Sequence, residues 1–370
     1  MYGIIRINNR NMYLLYISIE KVWRKFMSIL KKIICPVSEG NLRNSEGSMV
    51  VLGDGHYLFA YTHFYSGAND HAGARILAIT TKDGGQKWSN PYILQENIGG
   101  LNVMSASLLK LSSGKILFSF IQKNSLTDCN QQVRISNDEG KTFSDPINAK
   151  VWPGYGGAVN DSALQLSTGR ILLPVSISYQ QKNAVSGVLY SDDEGLTWHG
   201  SENFITCPKR GAMEPVCLEL KDGRILMFIR TQMGSIYRAF SHDFGQSWSE
   251  AEPSGVTGPE APCAIRRIPS TGDILLVWNN NYVPGADHQG ARNPLTIAIS
   301  KDEGYSFTYI KNIEDETVHT YSYPSIAFDG ENVLLTYYVS QLKSALIRAA
   351  SGDTISIKFQ SIPLNWIYGD

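Results

Sequence analysis

Short apolar runs in this chain are preceded, again and again, by residues that carry charge or hold a proton. Arg43 and Glu46 stand ahead of the run that ends at Tyr61. Asn160 with Asp161, Glu214, Glu260, and Tyr321 with Tyr323 hold the same place before later runs, and Met104 holds it once. Charged groups are rarely buried unpaired, so ionisable side chains at the heads of buried strands need a reason. Two are available. The groups neutralise one another as a structural ion network, or they converge on a charged ligand and do chemistry there. The choice depends on whether the fold brings these distant positions to one place.

The elements that would do so are written as a repeat. An apolar strand, a turn and a second apolar strand recur at Gly47–Tyr61, Ser105–Ile121, Ser162–Ser176, Pro215–Ile229, Pro262–Trp278 and Pro324–Tyr338. Their turns read GDG, SSG, STG, KDG, STG and DGEN, which are hairpin signals between buried strands. A second motif, Ser/Thr-x-Asp-x-Gly-x-x-Trp/Phe, follows the first five hairpins. Its aspartates are Asp83, Asp138, Asp193, Asp243 and Asp302, at intervals of 55, 55, 50 and 59 residues. The Asp carboxylate is suited to accept backbone amides two or three residues on, and the Gly supplies positive φ. The closing aromatic is suited to wedge between neighbouring units. These residues read as structural staples rather than as a site.

Repeats of this length, rich in strand formers, predict an all-β chain: a six-bladed β-propeller of four-stranded antiparallel blades. Residues 37–370 form the propeller in this reading. Residues 1–36 form an N-terminal extension that is partly helical, because Ile19, Val22, Trp23, Phe26, Met27 and Leu30 fall at helical spacing among basic residues. The sixth hairpin lacks the Asp motif. Its outer edge needs a partner, Ile33–Val37 or the C-terminal stretch, since an unpaired edge is a liability. In a propeller the heads of the inner strands crowd one mouth of the central channel.

The chain has 370 residues, 43% of them hydrophobic and 18% charged, with a net charge of −1. No nucleic-acid footprint is visible in that balance. Cys35, Cys129, Cys207, Cys217 and Cys263 are odd in number and lack CxxC spacing, which disfavours a disulfide framework and a zinc site. No phosphate-cradling glycine loop appears, so no cofactor and no metal is expected. No run reaches the ~18 apolar residues of a membrane span, and no clear membrane partner is implied. No signal peptide is evident, which favours a cytoplasmic location slightly over export. Oligomeric state is not legible.

The Asp motifs resemble the Asp boxes of the sialidases (neuraminidases), six-bladed propeller glycosidases, over roughly residues 42–350. The resemblance extends to single residues. Arg230, ending the strand Arg224-Ile-Leu-Met-Phe-Ile-Arg230, is similar to the second of three family arginines that hold the carboxylate of sialic acid. Arg292, before Leu295–Ser300, is similar to the third. Arg43 stands for the first, although the family's Arg-Ile-Pro is Arg43-Asn44-Ser45 here. Glu214 resembles the glutamate that activates a nucleophilic tyrosine, and Tyr323 that tyrosine, with Tyr321 as the alternative register. Asp70, in Gly67-Ala-Asn-Asp70-His71, resembles the general acid/base.

The resemblance implies retaining exo-hydrolysis of terminal sialic acid from a glycan substrate. An anomeric carbon bearing a carboxylate repels an Asp or Glu nucleophile, whereas a phenol is neutral until a base takes its proton. The acid role of Asp70 calls for a pKa raised by a partly dry pocket. Glu46, His71 and Asp161 are further candidate substrate-binding residues. Glu46, Asp161 and Glu260 add negative charge that opposes an anionic sugar unless arginines such as Arg210 or Arg75 offset it. His63 and His288 are further candidates for the mouth. Two alternatives stay open: a propeller glycosidase or lyase acting on a uronic or deoxy sugar, and a non-catalytic carbohydrate-binding propeller.

Overall fold

The computed structural model describes residues 29–179, 183–341 and 354–369. Nearly all regular structure there is β. The exceptions are a short 3-10 turn at Asp287–Gln289 and one short helix, Leu364–Tyr368.

Each sequence hairpin becomes the inner half of a four-stranded antiparallel meander. The clearest are two separate sheets. One runs Met213–Glu219, Ile225–Arg230, Ser235–Ser241, Glu252–Thr257; the other runs Ala264–Arg267, Ile274–Asn279, Leu295–Ser300, Thr308–Glu314. Arg43–Gly53, His56–Phe64, Ala74–Thr81 and Tyr92–Gln95 form another meander. It joins the last one through a single parallel pairing, Arg43 with Ile355. The second and third meanders, from Asn102–Lys110 to His199–Gly200, share one sheet by way of Tyr155–Gly157.

The last meander draws on both ends of the chain. His319–Asp329 and Asn332–Gln341 pair, Ile355–Pro363 adds to them, and Leu30–Cys35 takes the outer edge, from Leu30 opposite Ser361 to Cys35 opposite Ile357. Residues 30–35 are thus a strand of the β architecture rather than part of a helical extension. The helical pattern from Ile19 lies outside the described residues except at Leu30. The strand-like Ser344–Ala350 also lies outside them.

The first strands of the meanders pack side by side. Arg43–Gly53 lies against Asn102–Lys110 on one side and His319–Asp329 on the other, and Ala264–Arg267 lies against both Met213–Glu219 and His319–Asp329. Cores form between meanders rather than within them. Val50, Leu58, Ala60 and Ile76 of the first pack on Val103, Leu108 and Phe118 of the second. Side chains of this size contribute about 1.5–3 kcal/mol each when fully buried.

The Asp motifs are the outer staples, and their bonding is uniform. Ser136 Oγ donates to Asp138 Oδ1 at 2.8 Å and accepts the Gly140 amide at 2.8 Å. Asp138 also accepts the Thr142 amide at 2.9 Å and the Thr142 hydroxyl at 2.6 Å. In all five copies the Asp captures the amide four residues on, at Lys87, Thr142, Thr197, Ser247 and Ser306, and Asp193 also takes the amide three residues on, from Leu196 at 3.0 Å. The glycine does more than supply positive φ (80° at Gly140): a Cβ there would sit 2.6 Å from Leu58 of the preceding meander. Gly195, Gly245 and Gly304 abut Leu117, Leu172 and Leu226 in the same way, and Gly85 abuts Phe359 of the last meander. Trp88 meets that same Phe359 ring edge-on at 5.5 Å.

These bonds give a pH signature. The Thr142 hydroxyl and amide, with Ser136, hold the Asp138 carboxyl down at about 2, from an ordinary 3.8. A carboxyl whose pKa is depressed by folding stabilises the fold above its unfolded pKa and loses that contribution as pH falls through its folded one. The melting-temperature gap between the wild type and Asp138→Asn is therefore expected to be widest above pH 4 and to close toward pH 2. A gap that stays constant from pH 5 to pH 2 contradicts the assignment.

Candidate active site

The inner strands do not run straight. Pairing registers shift between Ser45 and Ser48, Met104 and Ser107, Met213 and Val216, and Ser322 and Ser325. One residue in each shift takes left-handed φ: Glu46 at 43°, Ser105 at 59°, Glu214 at 40° and Tyr323 at 54°. Asp161 has φ 54° at the matching point of the third meander. Such backbone costs roughly 1–3 kcal/mol per non-glycine residue and clusters at functional sites. A bulge also re-aims a side chain that strand alternation would have placed elsewhere. Glu46, Ser105, Glu214 and Tyr323 all reach one cavity of about 870 Å³.

The same cavity is lined by Arg43, Asp70, His71, Lys123, Tyr155, Arg210, Arg230, His288, Arg292 and Tyr338. Tyr323 donates its phenol to Glu214 Oε1 at 3.0 Å. Burial, and then the Glu214 carboxylate, push the phenol pKa well above its ordinary 10, against the pull of Arg230 and Arg292. The phenol is neutral at rest, and Glu214 is the carboxylate in contact with it. Tyr321 is fully buried and packs against Tyr337 at 6.1 Å, away from the cavity lining.

Three guanidiniums surround this pair. Arg230 donates to the second Glu214 oxygen at 2.5 Å and lies 3.3 Å from Glu260. Arg43 is bound on every nitrogen: to Ser45 at 2.9 Å, to Glu46 at 2.7 Å, and to Ala68 O and Asp70 at 3.0 and 2.5 Å. Burial works against the charge on Arg43, but Glu46 and Asp70 outweigh it and keep the group protonated. Arg292 is buried, stands 5.5 Å over the Tyr323 ring, and donates to Tyr338 Oη at 2.6 Å. Among the described residues Arg292 forms no ion pair, and its Nε has no partner.

Asp70 stands differently from expectation. Its side chain is largely exposed on a loop, and its pKa is lowered, not raised. What burial it has pushes the value up, but Arg43's charge and hydrogen bond outweigh that, with Lys123 adding to them.

Of the other expected residues, Glu46 and His71 line the cavity, and so do Arg210 and His288. Asp161 does not. It lies beneath the inner strands, where it accepts from Ser48 Oγ at 2.6 Å and the Ile326 amide at 3.0 Å and pairs with Arg266 at 3.1 Å. That is an internal tie between four meanders, so Asp161 holds the inner strands together and is not in reach of a ligand in the cavity. Glu260 is buried behind Arg230 and Arg210 as their counter-charge. His63 bonds to Asn44 at 3.1 Å, and Arg75 pairs loosely with Glu96 at 3.9 Å; neither lines the cavity. Among the described residues no group of three or more His, Cys, Asp and Glu converges as metal ligands.

Sequence reasoning missed Lys123, Ser105, Tyr155 and Tyr338. A signal for Lys123 was present: it ends the second strand of its hairpin, Ile116–Lys123, as Arg230 ends Ile225–Arg230.

The BNR repeat-like domain matches residues 108–335. A sialidase of Paraclostridium sordellii is 30% identical over 239 residues, which cover 56% of this chain and 57% of that protein. The chain thus spans little more than half the length of that relative. The solved Hadza microbial sialidase Hz136 superposes with a TM-score of 0.72 at 18% identity, covering 89% of this chain and 67% of that one. A Trypanosoma rangeli sialidase, solved with 2,3-difluorosialic acid as a covalent intermediate, gives a TM-score of 0.71 at 16% identity over 92% of this chain and 60% of that one. With the repeated Asp staples and the match over most of its length, this chain belongs to the BNR repeat-like family, within the sialidase superfamily.

Proposed function

We propose that the meanders close into a six-bladed propeller and that the cavity is the active site of a retaining exo-sialidase. Closure is supported by the side-by-side packing of five of the inner strands and by Gly85 and Trp88 of the first meander resting on Phe359 of the last. The reading of the site rests chiefly on one observation: the Tyr323–Glu214 pair faces a cavity walled by Arg43, Arg230 and Arg292.

The arginines clamp the substrate carboxylate with charge-assisted forks. Tyr323 Oη attacks the anomeric carbon and passes its proton to Glu214. The bond to the leaving oxygen breaks, and that oxygen takes the proton of the Asp70 carboxyl. Water then attacks the same carbon and gives a proton to Asp70, while the Tyr323 oxygen leaves and recovers its proton from Glu214. The covalent intermediate named for the Trypanosoma rangeli structure supports a nucleophilic route of this kind.

In its present state Arg43 spends both Nη1 donors on Ala68 O and Asp70, so a substrate carboxylate has to compete with Asp70 for that edge. An incoming carboxylate displaces Asp70, and in doing so removes the cation that lowers its pKa. Clamping the substrate thereby frees the acid and makes it easier to protonate.

The purified chain is expected to release sialic acid from an aryl α-sialoside, with the α-anomer as first product, and to leave aryl uronides and deoxy-sugar glycosides intact. Cleavage of a uronide or deoxy-glycoside without action on the sialoside overturns the reading.

A further inference from the structure

We infer that Lys123, together with Asn102, is a positioning residue for Asp70: from a neighbouring meander the two side chains grip the Asp70 backbone and fix where its carboxyl is presented. The inference rests on the reading of Asp70 as the proton donor.

Asp70 lies on the connection between His56–Phe64 and Ala74–Thr81, and its neighbour Gly67 has φ 138°. The connection is bonded within itself by Tyr65 N to Gly73 O at 3.0 Å, Ala72 N to Asn69 O at 3.1 Å and Gly73 N to Ser66 Oγ at 2.6 Å. None of these bonds holds the Asp70 carbonyl. That carbonyl instead accepts Lys123 Nζ at 2.6 Å and Asn102 Nδ2 at 3.0 Å, and the same Asn102 nitrogen reaches Ala72 O at 2.9 Å. Asn102 and Lys123 face each other as register partners at the end of one strand pair, so they act from a single rigid point.

The choice of lysine is informative. Lys123 is 2% exposed, and among the described residues it has no carboxylate in an ion pair. Its further contacts are Met104 Sδ at 3.5 Å and the Tyr155 ring at 5.8 Å. A buried ammonium without a directly paired carboxylate is costly, and burial lowers its pKa, offset only in part by the more distant Asp70 and Glu46 carboxylates. A neutral side chain would fill the space at less cost. What the ammonium adds is a charge-assisted bond to the Asp70 carbonyl, stronger than a neutral one. Precision there matters, because a displacement of about 1 Å in a reacting geometry costs about 100-fold in rate.

The test compares two sialosides, one with a sugar aglycone that needs its leaving oxygen protonated and one with a 4-nitrophenyl aglycone that does not. Lys123→Met is expected to lose about 100-fold in kcat on the first and less than about 5-fold on the second, following the misplacement cost above. Lys123→Arg should recover part of the loss. Hydrogen exchange across residues 65–73 should rise in Lys123→Met, and less so in Asn102→Ala, which keeps the charge and serves as the second variant. Equal loss on both substrates, or unchanged exchange in a folded variant, overturns the positioning role while leaving the sialidase reading intact. A wild type inactive on both sialosides but showing the exchange change overturns the sialidase reading and leaves the grip on the loop standing.

Discussion

Tyr323→Phe is expected to lower kcat on an aryl sialoside by about 1,000-fold or more, as removal of a nucleophile does elsewhere, with little change in melting temperature. The two halves of this result come from different parts of one side chain. The ring does the packing: it lies 5.7 Å from the Tyr338 ring and joins two of the apolar clusters between meanders. Phenylalanine keeps all of that. Among the described residues the hydroxyl makes one hydrogen bond, to Glu214 at 3.0 Å, and a bond of that kind is worth about 1 kcal/mol net. Glu214 is not stranded by the change, because Arg230 still holds its other oxygen. The left-handed backbone at position 323 is unfavourable for either residue, so it does not separate them. Steady-state rates and a thermal melt on the same preparation check the prediction. Near-wild-type hydrolysis in a folded variant would remove Tyr323 from the chemistry. Loss of activity together with loss of the fold would mean that the hydroxyl is structural.

The sequence showed the hairpins and staples well because both are local. A turn such as KDG between two apolar runs, or an Asp two residues after a Ser, fixes its geometry within a few residues. It also carried Arg230, Glu214 and Tyr323, which the structure brings to one cavity although more than a hundred residues separate the tyrosine from the glutamate. Three things were not legible, each for a physical reason. The bulges that aim Glu46, Glu214 and Tyr323 break the two-residue alternation on which strand reading depends. Asp161 stands at the head of a strand like the others, but whether it faces the cavity or the inner strands depends on Ser48 and Arg266 from two other meanders. The lowered pKa of Asp70 follows from Arg43, a cation 27 residues away that composition and spacing cannot place beside it. Long-range charge contacts of this kind decide the chemistry, and they exist only once the meanders are assembled.

Arg292→Met separates binding from folding more cleanly than a change at either of the other two arginines. Arg43 and Arg230 are each neutralised inside the protein, the first by Glu46 and Asp70 and the second by Glu214 and Glu260. Removing Arg43 leaves the buried Glu46 without its cation, and removing Arg230 leaves Glu214 without one, a loss of about 3–5 kcal/mol in comparable cases. Arg292 has the Tyr338 hydroxyl and the faces of aromatic rings, but no carboxylate among the described residues, and its Nε is unbonded. Burial works against its charge, but Tyr338 and Tyr323 outweigh that and the pKa is raised, without any carboxylate as partner. An apolar side chain of similar length strands no carboxylate and gives up one hydrogen bond to Tyr338, so the melting temperature of Arg292→Met is expected to fall far less than that of Arg230→Met. Its kcat/KM on a sialoside should fall by about 100-fold or more, because a fork onto a carboxylate comprises two charge-assisted bonds of about 1.5–3 kcal/mol each. Arg230→Met, by contrast, should lose activity and stability together. If Arg292→Met melts as early as Arg230→Met, its charge is compensated in the fold. If it melts late but keeps its kcat/KM, the cation serves no anionic substrate. A stable and inactive variant is the outcome that ties this cation, which has no carboxylate partner among the described residues, to the carboxylate it is proposed to receive.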